Sequence, residues 1–201
     1  LKPEPYFSAY DSIPKSPRRR VLMTTPQGKL LNQSDLIRWS IEYEQLIILC
    51  GHYEGFDERI RSLADEEVSV GDFVLTGGEI PAMTIVNGVV RLLPGTVGSE
   101  ESLLHESHAD LLLEHPHYTR PFEFRGMEVP EVLRSGDHSA IYKWRKEQRK
   151  LRTKIRRPDL FERWLSTKKS EDQVRIGSSP SSDALIDNLN SYEDGEDACL
   201  D

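Results

Sequence analysis

Three apolar runs, each followed by a turn that contains glycine, constrain the fold of this 201-residue chain most strongly. Apolar runs of this length bounded by turn residues are typical of buried strands. Because helical patterns separate them, the runs predict an α/β fold with a parallel sheet. Right-handed crossovers bring the ends of such strands to one sheet edge, so we expect the three turns to line one pocket. The runs are residues 21–23, 46–50 and 73–75, and the turns are residues 24–28, 51–55 and 75–78.

The third turn lies in residues 70–82, which read VGDFVLTGGEIPA. Glycines let the backbone come close to a ligand and offer it bare N–H and C=O groups, as nucleotide-binding loops do. A purely structural strand–turn–helix junction is the alternative interpretation, since short glycine motifs recur by chance. The expected convergence of three such turns favours a ligand site.

The charge distribution separates the C-terminal third of the chain into two parts. The whole chain has a formal net charge of −8, yet residues 143–157 contain nine basic residues and one acidic residue. Such a helix is suited to phosphates, so it predicts a nucleic-acid contact, the alternative being a solvated helix face. Residues 166–201 contain three basic and nine acidic residues and few aromatic ones, which predicts a disordered acidic tail.

Other classes of site find little support in the sequence. Cys50 and Cys199 do not form a disulfide framework, which favours a reducing compartment. The histidines around His115 and His117 do not match a zinc-ligand spacing, so we expect no metal site there. No apolar run approaches the roughly 18 residues of a membrane span, so we expect no membrane partner. The first residue is Leu1, and we expect an N-terminally truncated protein.

Four ordered motifs identify a resemblance to the bacterial-type tRNA (guanine-N1)-methyltransferases, the TrmD family of the SPOUT superfamily. The resemblance extends from about residue 1 to about residue 160, and the family also has an N-terminal strand–helix–strand segment that this chain lacks. The motifs are residues 50–59 (CGHYEGFDER), 70–82 (VGDFVLTGGEIPA), 115–121 (HPHYTRP) and 129–136 (VPEVLRSG).

The resemblance implies an S-adenosylmethionine-dependent enzyme that methylates N1 of the guanosine immediately 3′ of the tRNA anticodon and works as a homodimer with a shared active site. It also implies that the three glycine turns belong to a C-terminal trefoil knot, followed by a small helical domain. The expected segments are a knotted cofactor-binding domain (1–98), an interdomain linker (99–136), a helical tRNA-binding domain (137–165) and the tail (166–201).

The cofactor residues follow from the matched motifs. The resemblance implies that S-adenosylmethionine binds in the knot, and magnesium is implied by resemblance alone, with no ligand set visible. The expected cofactor-binding residues are Gly51, Val70, Gly71, Asp72, Phe73, Val74 and Leu75, together with Pro26, Tyr53, Gly77 and Gly78.

The reaction itself requires two groups near the target base. Guanine N1 carries a proton that a general base must remove, and a cation near O6 would stabilise the charge that develops. By resemblance, the cation is Arg91 and the base is Glu106, where the family has aspartate. Glu114 is a second candidate base, and Glu106 as a merely solvated acid is the structural alternative. Leu111 is a further departure, since the family usually has glycine there.

The basic helix is the expected grip on the anticodon stem, with Arg149, Arg152 and Arg156 as the expected RNA-binding residues. Two alternatives remain open: a tRNA-binding paralogue without turnover, and a SPOUT methyltransferase acting on another RNA. The expected location is the cytoplasm, or a plastid or mitochondrion if a targeting segment has been lost.

Overall fold

The computed structural model describes residues 1–96 and 106–177, with side-chain surroundings described up to residue 170. The chain divides once, into the compact units Leu1–Ala109 and Asp110–Asp201. This division falls inside the segment expected to be a linker, 99–136. The four functional segments inferred from the sequence stay a prediction.

The first unit contains the predicted parallel sheet. The first strand in the chain is the central one, and the two later strands pair with it in parallel, one on each side. The expectation of an α/β fold with a parallel sheet is therefore confirmed. The strands are β1 (Arg19–Leu30), β2 (Gln45–Cys50) and β3 (Glu66–Ser69).

Helices cover both faces of this sheet because successive side chains of β1 point to opposite sides. Leu22 packs with Trp39 and Ile85 on one face, whereas Met23 packs with Ile60 and with tyrosines of the first helix on the other. The central strand is thus buried on both faces, as parallel strands usually are. The covering elements are α1 (Pro3–Ser12), α2 (Gln33–Glu42), α3 (Glu79–Val90) and a 3₁₀ helix at Glu58–Leu63.

The start of α2 and the middle of α3 agree with the sequence pattern. The Asn32 side chain accepts a hydrogen bond from the Asp35 N–H, and the Asp35 carboxylate accepts one from the Asn32 N–H, which forms a capping box. Gly88 is needed in α3 because a Cβ there would lie 2.6 Å from Leu36 Cδ1. This close helix contact accounts for a glycine in a helix interior.

The third strand lies earlier than its apolar run suggested, so the strand predicted at residues 73–75 was wrong. Phe73 and Val74 are exposed in the loop after β3, at 55% and 83%. The actual strand includes Glu66, whose carboxylate accepts hydrogen bonds from Arg20 Nε (2.6 Å), Arg38 Nη2 (2.7 Å) and Trp39 Nε1 (3.3 Å). These hydrogen bonds compensate the cost of burying the Glu66 carboxylate. The charged residue is the reason why the sequence did not indicate a strand here.

The first glycine turn is also different from the prediction. The β1 strand continues through residues 24–28, but Thr24 and Lys29 both pair with Val68 of β3, so the residues between them leave the register. Gly28 permits this, because a Cβ there would lie 2.4 Å from Val68 N. The turn predicted at 24–28 is therefore a bulge within one long strand.

The second unit is a short hairpin followed by two helices. Asp137 caps the first of these helices, and its Oδ1 accepts hydrogen bonds from Ser139 N (2.9 Å) and Ala140 N (3.0 Å). The elements are β4 (Glu123–Phe124), β5 (Met127–Glu128), a 3₁₀ turn at Glu131–Leu133, α4 (His138–Arg156) and α5 (Pro158–Gly177).

Helix α5 continues to Gly177, into the segment whose composition predicts a disordered tail, and the disordered tail stays a prediction. Extending an existing helix adds a hydrogen bond per residue without a new nucleation cost, which a composition argument does not count. The rest of the predicted tail, residues 178–201, lies outside the described residues. Within the ranges 1–96 and 106–177, no helix is long and apolar enough to cross a membrane.

The Glu66 network predicts a pH-dependent contribution to stability. Burial opposes ionisation of Glu66, but hydrogen bonds from Arg38, Arg20 and Trp39 outweigh burial and lower the pKa of Glu66 below 4.5. A carboxyl whose pKa is lower in the folded state stabilises the fold above its unfolded pKa, and this stability is lost as the pH falls through the folded pKa.

We therefore expect Glu66→Gln to lower the free energy of unfolding at pH 7 by about 1–3 kcal/mol. The difference from the wild type should shrink as the pH falls below 4.5. Urea unfolding from pH 7 to pH 3 measures both. Glu42→Gln, at an exposed position, is the control and should change little. A difference that stays constant over this pH range would contradict the role of Glu66 ionisation.

Leu111 generates a second stability prediction, because its φ of 69° lies in the left-handed region that favours glycine. We expect Leu111→Gly to be more stable than Leu111→Ala by about 1 kcal/mol, since both lack the leucine side chain and differ only in backbone freedom. The opposite order should hold at Lys146 in α4, where alanine is the better helix former. Thermal unfolding of the four variants would show it, and a more stable alanine at both positions would refute the backbone argument.

Candidate functional site

Three loops of the first unit meet at one buried point. The Thr24 hydroxyl donates a hydrogen bond to Leu49 O (3.0 Å), and Gly78 N–H donates one to Gly51 O (2.8 Å). A Cβ on Gly78 would lie 2.3 Å from Thr24 Oγ1 and 2.8 Å from Cys50 Cα. The absence of a side chain at position 78 therefore lets the third loop pack directly on the ends of β1 and β2.

A cavity of about 360 Å³ lies among these loops. Ten of the eleven expected cofactor residues line it, and the exception is Asp72, which is exposed. The structure thus brings the three predicted turns together, although the first is a bulge. The ten are Pro26, Gly51, Tyr53, Val70, Gly71, Phe73, Val74, Leu75, Gly77 and Gly78.

The cavity rim carries exposed apolar groups beside backbone polar groups. Tyr53 is 93% exposed and has a φ of 56°, which is unusual for a residue other than glycine. Together with Phe73 and Val74 it presents apolar surface that the chain itself leaves uncovered. Small-molecule sites combine apolar and aromatic surface with polar groups that orient the ligand, and this cavity offers both kinds of group.

Two polar lining residues are not indicated by the sequence pattern. Arg61 Nη2 donates a hydrogen bond to Gln27 Oε1 (2.7 Å), and Arg61 also pairs with Glu58 (2.9 Å) and with Glu67. The only sequence signal for these lining residues was the group of charged residues after the second turn. Nothing in the spacing of these residues relates Arg61 to Gln27. Their contact ties the 3₁₀ helix to the bulge of β1.

A second set of contacts joins the second and third loops. His52 Nε2 lies 2.5 Å from Glu79 Oε1 at the start of α3, and His52 also forms a bridge with Gly77. The neighbouring Cys50 is partly buried, and burial raises the pKa of its thiol. Among the described residues, no group of three or more His, Cys, Asp and Glu is arranged to hold a metal ion.

The two expected catalytic residues are paired with each other. Arg91 Nη2 donates hydrogen bonds to both carboxylate oxygens of Glu106, at 2.6 Å and 2.7 Å. Both side chains remain about one third exposed, at 33% and 32%. Neither is among the described residues that line the three-loop cavity. The neighbouring His105 lies outside the described residues, and Glu114 pairs with His117 at 2.7 Å.

The three expected RNA-binding arginines have different surroundings in α4. Arg149 is buried, and its two Nη atoms contact the Asp110 carboxylate at 3.0 Å and 2.5 Å. Arg152 is half-buried and Arg156 is exposed. The Arg149 guanidinium neutralises a carboxylate inside the second unit, which does not favour the expected RNA contact, and the RNA-binding assignment of Arg149 stays a prediction.

This contact fixes residues 110–113 against α4. Leu113 N donates a hydrogen bond to Thr153 Oγ1 (2.8 Å), and the Thr153 hydroxyl donates one to Arg149 O (2.7 Å). Leu112 is buried beside them. Arg149 thus has a structural role, which the charge count of the helix does not distinguish from an RNA-binding one.

Comparison with known proteins gives a consistent family. The family described as tRNA (Guanine-1)-methyltransferase TrmD matches residues 1–163. A protein of Synechococcus sp. strain WH7803 named tRNA (guanine-N(1)-)-methyltransferase is 74% identical over 164 residues, which cover 82% of this chain and 68% of that protein. Proteins of the same name from Thermosynechococcus vestitus and Nostoc sp. strain PCC 7120 are 59% and 57% identical. Those matches cover 83% and 84% of this chain and 70% and 67% of the relatives.

The different surroundings of the arginines predict different effects of neutralisation. Arg149→Met should lower the free energy of unfolding by about 1–3 kcal/mol, because the Asp110 carboxylate loses its partner. Arg152→Met is the matched control and should change it by less than about 0.5 kcal/mol. Thermal unfolding monitored by circular dichroism measures both. If Asp110→Asn fails to reduce the effect of Arg149→Met in the double variant, the pair is not its cause.

Proposed function

The chain belongs to the tRNA (Guanine-1)-methyltransferase TrmD family, and on that premise we propose that it transfers a methyl group from S-adenosylmethionine to N1 of the guanosine immediately 3′ of the tRNA anticodon. The observation that carries the proposal is the cavity where the three glycine-containing loops of the family motifs meet. Relatives that are 72–74% identical carry the name of this activity.

The three-loop cavity is the proposed cofactor site. Its volume of about 360 Å³ lies in the range typical of small-molecule pockets. Backbone groups of the loops around Gly51 and Gly77 are suited to hydrogen bonds with the edge of the adenine ring. The aromatic rings of Tyr53 and Phe73 are suited to stacking on the faces of the adenine ring. When bound, S-adenosylmethionine supplies an activated methyl sulfonium. Magnesium stays a prediction from the resemblance alone.

The finer fold assignment is part of the same proposal. We take the second and third loops to be the crossing segments of a trefoil knot. The support is their contact through backbone atoms: Gly78 N–H donates to Gly51 O, and His52 bridges to Gly77. A knot of this kind would hold the cofactor in a site formed by main chain more than by mobile side chains.

The proposed chemistry assigns one role each to Glu106 and Arg91. The Glu106 carboxylate accepts the proton from guanine N1, which frees the N1 lone pair to take the methyl group that the bound cofactor would supply, with S-adenosylhomocysteine as the leaving group. The Arg91 guanidinium donates a hydrogen bond to O6, where negative charge develops. N1 and O6 are both bonded to C6 of guanine, so the base and the cation must lie close together. Their 2.6 Å contact supports this assignment.

A homodimer is proposed because the catalytic pair and the cofactor cavity do not share lining residues in the described part of one chain. Helix α3 carries an exposed apolar face beside Arg91, with a shallow cavity of about 620 Å³. Exposed apolar patches of this kind are typical of interaction surfaces. A second copy covering this face would let Glu106 of one subunit serve the cavity of the other. The face consists of Ile80, Met83, Val86 and Val90.

The proposed tRNA grip is the exposed basic surface of α4, without Arg149. Arg156 is exposed and Arg152 is half-buried, so both are suited to phosphate contacts. The cytoplasmic location stays a prediction, as does the division of the chain into four functional segments.

The test is methyl transfer from labelled S-adenosylmethionine to a tRNA transcript, with the product nucleoside identified by mass spectrometry. We expect 1-methylguanosine next to the anticodon, and a large loss of transfer when the guanosine that precedes the target is changed to adenosine. Transfer that ignores this change would favour a methyltransferase for another RNA. tRNA binding without any transfer would favour a paralogue without turnover.

The assignment of the general base predicts a specific defect. Glu106→Gln should slow single-turnover methyl transfer by at least about 10²-fold, because an amide cannot accept the N1 proton. Calorimetry with S-adenosylhomocysteine should show unchanged affinity. Glu114→Gln is the matched control, since Glu114 pairs with His117, and it should retain activity within a few-fold. Equal loss in both variants, or none in Glu106→Gln, would remove Glu106 from this role.

A further inference from the structure

A second cavity, entirely within the second unit, has no part in the function described so far. Its volume is about 370 Å³, and it lies among residues 115–145. Three arginines and two exposed aromatic rings line it, and none of the described residues that line it is acidic. In a chain with a net charge of −8, such a lining is selective for a negatively charged or aromatic ligand. These five residues, Tyr118, Arg120, Phe122, Arg134 and Arg145, are called the aromatic–arginine pocket.

The rings of this pocket have open faces. Phe122 is 57% exposed and Tyr118 is 46% exposed. The Arg134 guanidinium lies 5.5 Å from the centroid of the Phe122 ring, and the Tyr118 ring lies 6.5 Å from that of Trp144. Each ring is therefore supported by a neighbour but not covered by it. Aromatic faces left open beside arginines are the platform on which unpaired bases stack.

His115 adds a neutral polar group to the same cavity. Burial lowers the pKa of His115, which favours the neutral form of its ring. Its Nδ1 lies 3.2 Å from Pro116 O, and because a carbonyl only accepts, Nδ1 carries the proton. The remaining ring nitrogen, Nε2, is then an acceptor that can pair with a donor on a base edge.

The combination distinguishes unpaired from paired RNA. Arginines alone would bind the phosphates of any duplex, as the exposed face of α4 is proposed to do. Open ring faces contribute only when a base is free to leave its helix, as in loops and single strands. Rings and cations in one cavity therefore favour a single unpaired nucleotide, with its base on a ring and its phosphate on an arginine.

We propose that the aromatic–arginine pocket binds an unpaired nucleotide of the RNA substrate by stacking the base on Phe122 or Tyr118 and contacting the adjacent phosphate with arginine. The inference rests on the proposed function only in taking that RNA to be tRNA. It assigns recognition of loop nucleotides to the second unit, separately from the cofactor cavity and from the phosphate contacts of α4.

The test compares two RNAs that differ only in unpaired nucleotides: a hairpin with a seven-nucleotide loop, and a blunt duplex with the same stem. We expect the wild-type chain to prefer the hairpin. Phe122→Leu should weaken hairpin binding by about tenfold, the size of one stacking contact, and leave duplex binding unchanged. Phe122→Tyr should bind like the wild type, because it restores a ring. Tyr118→Leu is an independent variant, and circular dichroism verifies the fold of each.

Arg152→Gln with Arg156→Gln is the matched control. This double variant should weaken binding of both RNAs equally and reduce the salt dependence of binding, since it removes phosphate contacts alone. The proposal is overturned if Phe122→Leu and Tyr118→Leu leave hairpin affinity unchanged, or if they weaken hairpin and duplex equally.

The outcome is separable from that of the proposed function. Binding of these RNAs is measured by fluorescence anisotropy with no methyl donor present, so it does not depend on turnover. A chain that prefers the hairpin through Phe122 but never methylates tRNA would refute the methyltransferase proposal and retain this one. If both leucine variants methylate tRNA with unchanged efficiency and the chain shows no hairpin preference, the methyltransferase proposal is retained and the pocket proposal is refuted.

Discussion

The buried contact among Thr24, Gly51 and Gly78 is the constraint on which the first unit depends. It joins the bulge of β1, the end of β2 and the loop before α3, because the Thr24 hydroxyl donates to Leu49 O and the Gly78 N–H donates to Gly51 O. No long side chain separates these segments, and a single Cβ at position 78 would overlap the backbone of β2. The cavity walls are therefore held by the same strand whose two faces form the core, so the site is preorganised by the sheet.

The sequence predicts the outline of this arrangement well and its details unevenly. The apolar runs at residues 21–23 and 46–50 are local signals, and they fall within β1 and β2 as observed. The third strand was misplaced because Phe73 and Val74 resemble core residues by composition, whereas Glu66 depends on partners from β1 and α2 that no local window contains. The pairing of Arg149 could not be predicted for the same reason, since its partner Asp110 is distant in the chain. The convergence of the three turns was predictable, because right-handed crossovers in a parallel sheet bring the strand ends to one edge.

The pairing of Arg91 with Glu106 has a consequence for the proposed reaction. Both carboxylate oxygens accept from one nitrogen of the guanidinium, so in the proposed reaction a guanine that engages Glu106 would either use a remaining lone pair or replace one of these bonds. The substrate base offers an equivalent pair of contacts, an N–H for the carboxylate and a carbonyl for the arginine. The ion pair thus acts as an internal substitute for the substrate edge, and the exchange of one set of contacts for the other keeps both charges satisfied. Glutamate in place of the aspartate expected from the family adds one methylene of reach.

The bulge of β1 makes the register of strand pairing independent of the number of residues in the bulge. Thr24 and Lys29 both pair with Val68, so β1 has the same partner residue in β3 before and after the bulge. Residues inserted or removed between these two points would not shift the pairing on either side, provided that Gly28 keeps its close approach to β3. The cavity wall around Pro26 and Gln27 is for this reason the part of the site most open to evolutionary change in length. Related enzymes could diversify what they accept there while the sheet beneath stays in register.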